Sequence, residues 1–426
     1  MATFRPMQRD LTVAEAQDCI LAAVLPLPAE TLAVAEARGR VLAEDVLSGR
    51  VLPPSDCSAM DGYAVHSAAC RYASESDPVV LPVVFEVAAG AVADCPLERT
   101  DAARIFTGAP IPSGADAVIM QEHVKVEGGF IRISAPVDSD NHIRLAGEEL
   151  QVGDRVLTAG SELRAPTIGL LASLGRSVIS VIRRPRVAIL SSGDELVEPD
   201  GQIDGGRIVS SNSYTLSALC REVGAEPIYL GISRDRPEDL EAHIRAGLSA
   251  DCIVTSAGVS VGDHDHVKDV LAKLGCEISF WGVKMKPGHP MVFGRFPAGG
   301  PFMFGLPGNP VSAAVTFEQF VRPALRKLMG FENCFRPTLR ARLRTPLHKR
   351  PGRLTFIRVE LERDGDEIWA SSTGNQSSGV FRSMTEAQGL LIFPGPASDL
   401  AFGDEVTVQI VDEGFFSGNE RGFEGV

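Results

Sequence analysis

The 426-residue chain lacks paired cysteines: Cys19, Cys57, Cys70, Cys95, Cys220, Cys252, Cys276 and Cys334 are scattered, with no CxxC. Structural zinc needs thiolates at short paired spacings, and disulfide frameworks belong to short secreted chains, so these residues read as reduced, most of them as small core fillers. Long apolar runs are missing too. No segment approaches the roughly 18 uninterrupted apolar residues of a membrane span. The apolar patch near the start is broken by Glu15, Gln17 and Asp18, with no small-residue cleavage site behind it, so a cytoplasmic location is expected. Positive charge is scarce: 41 Lys and Arg against 55 Asp and Glu leave a net charge of −14. Nucleic acid and anionic membrane both demand a basic face, so neither is an expected partner. A small anion remains possible wherever lysines, arginines, backbone N–H groups or a bridging cation gather. The chain also lacks HExxH spacing, a Walker loop and a GxGxxG loop after its first α/β strand, which weakens a dehydrogenase reading.

What is present points to two to four domains, because a chain this long outgrows one core. Thr12-Val-Ala-Glu15 reads as a capping box, followed by Val13, Ala16, Cys19, Ile20 and Ala23 at helical spacing. From about Leu52 to Val137, VVLPVVFEV, ARIFTG, DAVIM and FIRIS alternate with Pro and Gly, which predicts a small, mostly β domain. Residues 142–181 read as mixed short strands with a helix near Thr167–Leu174. After Arg183-Arg184-Pro185 the texture changes. VAIL (187–190) is the continuous apolar run of a buried parallel strand, and Ser213–Val223 is a helix stopped by Gly224. PIYLGIS, a helix from Pro237 to about Leu248, CIVTSA, a helix near His266–Lys273 and ISFWGVKM complete the alternation of a doubly wound α/β sheet. A helix capped by Asn309 and begun by Pro310 runs to Gly330, with a kink expected at Pro323. The chain is β-rich again from Pro337 to Val411, and EGFFSGNERGFEGV looks like a frayed tail.

Three loops fall at the carboxyl ends of the α/β strands: SSGDEL (191–196), TSAGVSVGDHD (255–265) and GLPGNPVS (305–312). Each alone reads as a tight turn with a good helix cap, but three at one sheet edge point to a ligand site. Asp235 in SRDRPED shares that edge with Asp265. The two carboxylates read either as a magnesium clip against a phosphate, or as a solvated loop and a residue that merely precedes a helix. KMKPGHP brings Lys284, Lys286 and His289 together, as a basic knot in an acidic chain or as solvated lysines. Asp61, Thr107 and Glu122 lie in loops more structured than ordinary connections.

Taken in order, SAMDGYAV, FTGAPIPSGADAVIMQE, SSGDEL, SAGVSVGDHD, KMKPGHP, GLPGNPVSA and PGRLTFIR resemble the molybdopterin molybdenumtransferases, the family of bacterial MoeA and the gephyrin E domain. The resemblance runs from about Leu11 to Val411. It implies a multidomain α/β chain. A discontinuous elongated N-terminal domain would span 1–52 and 142–183, and a β-rich insert domain 53–141. A doubly wound α/β molybdopterin-binding domain would span 184–332 and a C-terminal β domain 337–412, with 413–426 as a flexible tail.

The resemblance also implies the last step of molybdenum cofactor synthesis. Adenylylated molybdopterin and molybdate enter; the cofactor and AMP leave, with magnesium assisting. The dithiolene sulfurs belong to the pterin, which suits a chain without a cysteine cluster. By position, Asp61, Thr107, Glu195, Asp235 and Asp265 match catalytic residues, the last two with magnesium at the nucleotide phosphates. Lys286, His289, Arg358 and Ser378 match oxyanion positions for molybdate. Arg144 and Glu149 match substrate positions, and Pro307, Pro310 and Ser312 shape the pterin and anion loop. Two unit charges 4 Å apart interact by about 4 kcal/mol at an effective dielectric of 20, so molybdate and a pyrophosphate need compensating cations.

Several positions depart from the family pattern. His289 stands where many relatives carry lysine, Glu149 where aspartate is frequent, and Ser210 where aspartate is common. Asp263 sits where relatives often have another acid, while His264 and His266 look replaceable. The resemblance further implies a homodimer in which Asp61 and Thr107 serve the other subunit. It also implies transient contact with the molybdopterin adenylyltransferase and with cofactor-receiving enzymes. Two other readings stand beside it: a non-catalytic molybdopterin-binding or scaffold protein of the same fold, and the adenylyltransferase, which shares only the α/β domain and lacks the SAMDGYAV and PGRLTFIR regions.

Overall fold

The computed structural model describes residues 8–257 and 266–417. The chain divides into two compact units, one holding the residues as far as Leu32, Gly39–Ala43 and everything from Ser180 on, the other holding Ala33–Arg38 and Glu44–Ile179.

The first unit is organised by a seven-stranded sheet. Its elements are β1 (Gln8–Leu11), α1 (Val13–Ala23), β2 (Arg186–Ser192), α2 (Ser211–Val223), β3 (Glu226–Ser233), α3 (Pro237–Gly247), β4 (Cys252–Ser256), α4 (His266–Lys273), β5 (Glu277–Val283), β6 (Val292–Arg295), β7 (Phe302–Leu306) and α5 (Pro310–Thr316). The strand order is β1-β5-β6-β7-β4-β2-β3. Strands β2, β3, β4 and β7 are parallel, and β6 runs against both its neighbours. Successive side chains of a strand point to opposite faces. Val187 and Ile189 therefore join the core under α1, α2 and α5, while Ala188 and Leu190 join the core under α3 and α4. That double burial explains the unbroken apolar run at 187–190. Cys220 and Cys252 lie in the first of these cores. Burial pushes the Cys220 thiol up to about 12, which makes it inert packing rather than a nucleophile.

The opening segment, expected in an elongated domain with the residues after His142, joins this α/β layer. The capping box is formed: Thr12 Oγ1 accepts the Glu15 N–H at 3.2 Å, and Glu15 Oε2 accepts the Thr12 N–H at 2.8 Å. An 11-residue helix is marginal without tertiary support. Helix α1 finds it by burying Val13, Ala16 and Ile20 in the first core, while β1 pairs in parallel with β5.

The last helix of the layer is irregular ahead of the expected kink. From α5 it passes through a π-helical turn at Phe317–Val321 into α6 (Arg322–Leu328), with Pro323 in the first turn of α6. Proline has no N–H to donate and crowds the carbonyl four residues back. Here that carbonyl is Gln319 O, and the wider turn releases it to accept from Gln17 Nε2 of α1 at 3.0 Å.

Five strands then close a small barrel: β8 (Thr338–Leu343), β9 (Leu354–Asp364), β10 (Glu367–Ser372), β11 (Gly389–Phe393) and β12 (Glu405–Ile410). The ring runs β9-β10-β8-β12-β11 and back to β9. Leu343, Val359, Ala370, Leu391, Phe393, Val408 and Ile410 fill it. Of the predicted tail, Glu413–Phe416 form a short 3-10 turn, and residues 418–426 lie outside the described residues.

A buried ionic cluster marks where the chain enters the barrel. Arg336 donates from Nε and Nη2 to Glu318 at 3.0 and 3.2 Å, and its Nη2 also pairs with Glu222. Burial works against the Arg336 charge, but the hydrogen bonds and attraction of Glu318 and Glu222 outweigh it and hold its pKa above the ordinary value.

The second unit contains a six-stranded sheet in the order Ala117–Met120, Gly62–Val65, Ala102–Ile105, Val79–Val87, Phe130–Ile133, Val124–Glu127. Tyr63, Val65, Ile119 and Ile131 pack on one face, and Ala64, Ala103, Ile105 and Val118 on the other. This is the β-rich region expected from its short β-branched runs. Among the described residues, no helix is long and apolar enough to cross a membrane.

The cluster at Arg336 generates a stability prediction. Arg336→Ala leaves buried Glu318 without its hydrogen-bonded partner and with only the more distant Arg322, 3.7 Å away, and the first unit should lose about 3 kcal/mol. Urea unfolding followed by the fluorescence of Trp281 and Trp369, both in this unit, measures it. A double Arg336→Met, Glu318→Gln variant should recover most of the loss. An unchanged midpoint for Arg336→Ala would rule out the role assigned to the pair.

Candidate functional site

In the order β3-β2-β4-β7, the chain leaves β2 for β3 on one side and returns to β4 on the other. The crevice at such a switch point is where open α/β sheets bind ligands. A cavity of about 590 Å³ lies there, with Ser192, Glu195, Asn212, Ser256, Pro307 and Pro310 in its lining. All three loops singled out in the sequence contribute to it. Ser191 and Ser256 face each other across β2 and β4 with their hydroxyl oxygens 3.4 Å apart. Asn212, at the head of α2, donates from Nδ2 to Ser256 Oγ at 3.2 Å and to the Gly308 carbonyl at 2.7 Å. One amide thus ties the second loop to the third. Sequence reasoning missed Asn212, whose only signal is the small polar run 210–213 ahead of a helix. Ser210, one of the departures, is buried with its hydroxyl 3.1 Å from that of Ser213.

Asp235 follows β3. Its Oδ1 accepts from Ser192 Oγ at 3.1 Å, and its N–H donates to Asp194 Oδ1 at 3.3 Å. Arg234 Nη1 donates to the carbonyls of Asp194 and Leu196, so it fastens SSGDEL to the end of β3. Asp265, Asp263 and His264 lie outside the described residues. Among the described residues no group of three or more His, Cys, Asp or Glu gathers to hold a metal ion. Magnesium prefers hard oxygen ligands, takes one or two carboxylates and keeps several waters. Asp235, with Asp194 and Ser192 beside it, offers oxygen donors of that kind.

The N-terminus of α5 follows the third of these loops. Asn309 occupies the cap position without a side-chain hydrogen bond, and Pro310 opens the helix. The next N–H, of Val311, donates to the carbonyl of Ser378 at 3.2 Å. Ser312 is buried inside α5. Arg358 is only 1% exposed, and its Nε and Nη2 are spent on protein. Nε donates to Ser383 Oγ at 3.0 Å, and Nη2 to the carbonyls of Asn375 at 3.3 Å and Ser377 at 3.2 Å. Burial pulls this guanidinium down to about 10, which leaves it charged at neutral pH.

Lys286 is exposed in the short strand Met285–Lys286, which pairs with β9. His289 Nδ1 lies 2.9 Å from the Val283 carbonyl, which can only accept, so Nδ1 carries a proton. Its Nε2 faces Asp10 Oδ1 at 3.6 Å. Asp10, which sequence reasoning missed, has a left-handed backbone with φ of 54°. Gly282 makes room for the pair: a Cβ there would stand 2.9 Å from that carboxylate. Lys286, His289, Ser312, Arg358 and Ser378 do not line the cavity, although their chain neighbours Pro290 and Gly379 do.

In the second unit, Asp61 and Thr107 are joined. Asp61 Oδ1 accepts both the N–H and the hydroxyl of Thr107 at 2.8 Å. The backbone bond, then the hydroxyl bond, hold the Asp61 carboxyl below its ordinary value. Arg104 stacks over Tyr63 and Phe106 and donates to the Gly62 carbonyl. Arg144 pairs with Glu148 at 2.6 Å and with Glu149 at 3.6 Å, and the Glu148 hydrogen bond raises its pKa.

Three family models match the chain in sequence order. The MoeA N-terminal region (domain I and II) covers residues 11–175, a probable molybdopterin binding domain 188–327, and the MoeA C-terminal region (domain IV) 340–411. The chain belongs to the MoeA family. It is 40% identical over 376 residues to the molybdopterin molybdenumtransferase of Nostoc sp., covering 87% of this chain and 86% of that one. Its identity to the Haemophilus influenzae molybdopterin molybdenumtransferase is 38% over 392 residues, covering 90% and 95%. The crystal structure of a molybdopterin biosynthesis MoeA protein from Pyrococcus horikosii superposes with a TM-score of 0.81 at 31% identity, over 96% of this chain and all of that one. Matches to the MoeA regions on both sides of the α/β layer set this chain apart from proteins that share that layer alone. The cavity lining from Ser192 to Pro310 falls within the stretch matched by the molybdopterin-binding model.

The Asp61–Thr107 pair can be tested by titration. Thr107→Val removes the hydroxyl bond and keeps the larger backbone one, so the Asp61 carboxyl should titrate higher than in the parent protein. It should still lie below the ordinary aspartate value near 3.9. Because the folded pKa is depressed, what this pair contributes is present above the ordinary carboxyl range and is lost as pH falls through the folded value. Carboxyl carbon shifts read by NMR decide the matter, and an unmoved titration would show that the hydroxyl bond does not form.

Proposed function

We propose that the chain inserts molybdate into adenylylated molybdopterin, releasing molybdenum cofactor and AMP in a magnesium-dependent reaction in the cytoplasm. One observation carries this reading: a cavity of about 590 Å³ at the switch point of a sheet that matches a molybdopterin-binding domain, inside a chain matched by MoeA regions on both sides. Relatives named molybdopterin molybdenumtransferase cover most of its length.

The residues suit that chemistry. Serines, Asn212 and loop prolines give the cavity a neutral wall with hydrogen-bonding groups, suited to a pterin and a nucleotide. Glu195 is the carboxylate of that lining. Magnesium held by Asp235 and Asp265 would supply the positive charge and Lewis acidity that the phosphates require. Lys286, a cation, and the His289 ring, next to Pro290, are the groups offered to molybdate, together with Ser378 and the loop that Arg358 secures. What the protein contributes is orientation and charge placed before reaction.

Incubating the purified protein with adenylylated molybdopterin, molybdate and magnesium should release AMP and form cofactor. Asp235→Ala and Asp265→Ala should each slow magnesium-dependent AMP release by roughly a hundredfold. Asp235 is exposed, so its replacement should leave the unfolding midpoint nearly unchanged. No AMP above the protein-free control would sink the enzymatic reading and favour a non-catalytic molybdopterin-binding or scaffold role.

We further propose a homodimer whose sites draw Asp61 and Thr107 from one chain and the α/β cavity from the other, in line with the family resemblance. Refolding a mixture of Asp61→Ala and Asp265→Ala chains, each inactive alone, should restore about a quarter of wild-type sites. Confirmed subunit exchange without recovery would show that each site is built within one chain.

A further inference from the structure

The pairing of β9 with β10 ends at Val359 opposite Ser372, while on its other side β9 continues along β11, with Arg358 opposite Leu390. Beyond that point the Arg358 carbonyl still takes the Thr373 N–H, but the Arg358 N–H needs an acceptor that β10 no longer supplies. Gln376 provides it. Its Oε1 accepts the Arg358 N–H at 2.9 Å, and its Nε2 donates to the Arg358 carbonyl at 3.1 Å, as a peptide group of a neighbouring strand would. The same Nε2 lies 3.1 Å from Ser372 Oγ and 3.2 Å from Thr373 Oγ1.

The Arg358 side chain grips the loop on either side of this amide, through the carbonyls of Asn375 and Ser377. Asn375 Oδ1 accepts the Ser377 N–H, and the Thr373 N–H donates back to the Arg358 carbonyl. The segment TGNQSS is thus pinned to one residue of β9. Its far end meets the cavity: the Ser378 carbonyl takes the Val311 N–H at the start of α5, and Gly379 is part of the wall.

We propose that Gln376 is a positioning residue for the cavity. By standing in for a missing strand residue, it holds the 373–379 loop at the height where Ser378 meets the start of α5 and Gly379 forms part of the cavity wall. This rests on the reading of that cavity as the substrate site. Arg358 holds the same loop from below, so loss of Gln376 should shift the loop without unfolding the barrel. Gln376→Ala removes both hydrogen bonds, whereas Gln376→Glu keeps an acceptor for the Arg358 N–H and loses the donor.

The test uses the full-length protein and two measurements. Amide hydrogen exchange at Arg358 and Val311 should accelerate about tenfold in Gln376→Ala and less in Gln376→Glu, while amides of β12 and α2 keep their protection. The KM for adenylylated molybdopterin should rise about tenfold with kcat within about threefold, the pattern of lost binding geometry rather than lost chemistry. Unchanged exchange at Val311 overturns the proposal, and so does a general loss of protection across the barrel, which would mark a merely structural residue. Released exchange with an unchanged KM also overturns it. If the wild-type protein itself releases no AMP, the reading of the cavity fails and the positioning role with it, while the exchange data still decide whether Gln376 holds the loop.

Discussion

A parallel strand buried on both faces is the constraint from which the first unit follows. Strand β2 lies between β3 and β4 and sends Val187 and Ile189 into one core, Ala188 and Leu190 into the other. Such a strand requires helices on both sides, and their connections must gather at its ends. The amino-terminal segment is recruited to the same requirement, with α1 as further cover and β1 as an added strand. The cavity is what remains where the connections part to opposite sides of the sheet.

The charged groups of the first unit are unevenly committed. Arg234 is spent on the carbonyls of its own loops, Arg358 on the 373–379 loop, and Arg336 on Glu318 and Glu222. Each guanidinium serves as a rigid fork that organises main chain or a buried carboxylate, the use for which arginine is better suited than lysine. Lys286 and His289 remain nearer solvent. His289 is held from two sides, by the Val283 carbonyl and the Asp10 carboxylate, so its ring arrives oriented.

Much of this was legible in the sequence where a local rule decides the outcome. The run at 187–190, the capping box at Thr12 and Glu15, Gly224 ending α2 and Pro310 opening α5 depend on neighbours within one or two turns. Features set by distant partners were not legible. The partner of α1, the π turn before Pro323 and the inward reach of Arg358 depend on contacts that no spacing encodes. The family resemblance supplied positions such as Asp61, Thr107 and Glu195, but not the hydrogen bonds they make. Asn212 and Gln376 were overlooked for one shared reason: a carboxamide that ties distant segments together looks in sequence like any other polar residue.

The closed ring of the C-terminal barrel has a mechanical meaning. Each of its five strands is hydrogen-bonded on both sides, so none can be peeled away without opening two seams together. A strand at the margin of an open sheet frays alone; here no such margin exists among the five. The barrel therefore holds or opens as a single piece, and a loop such as 373–379, carried on its rim, inherits a footing that does not yield by degrees.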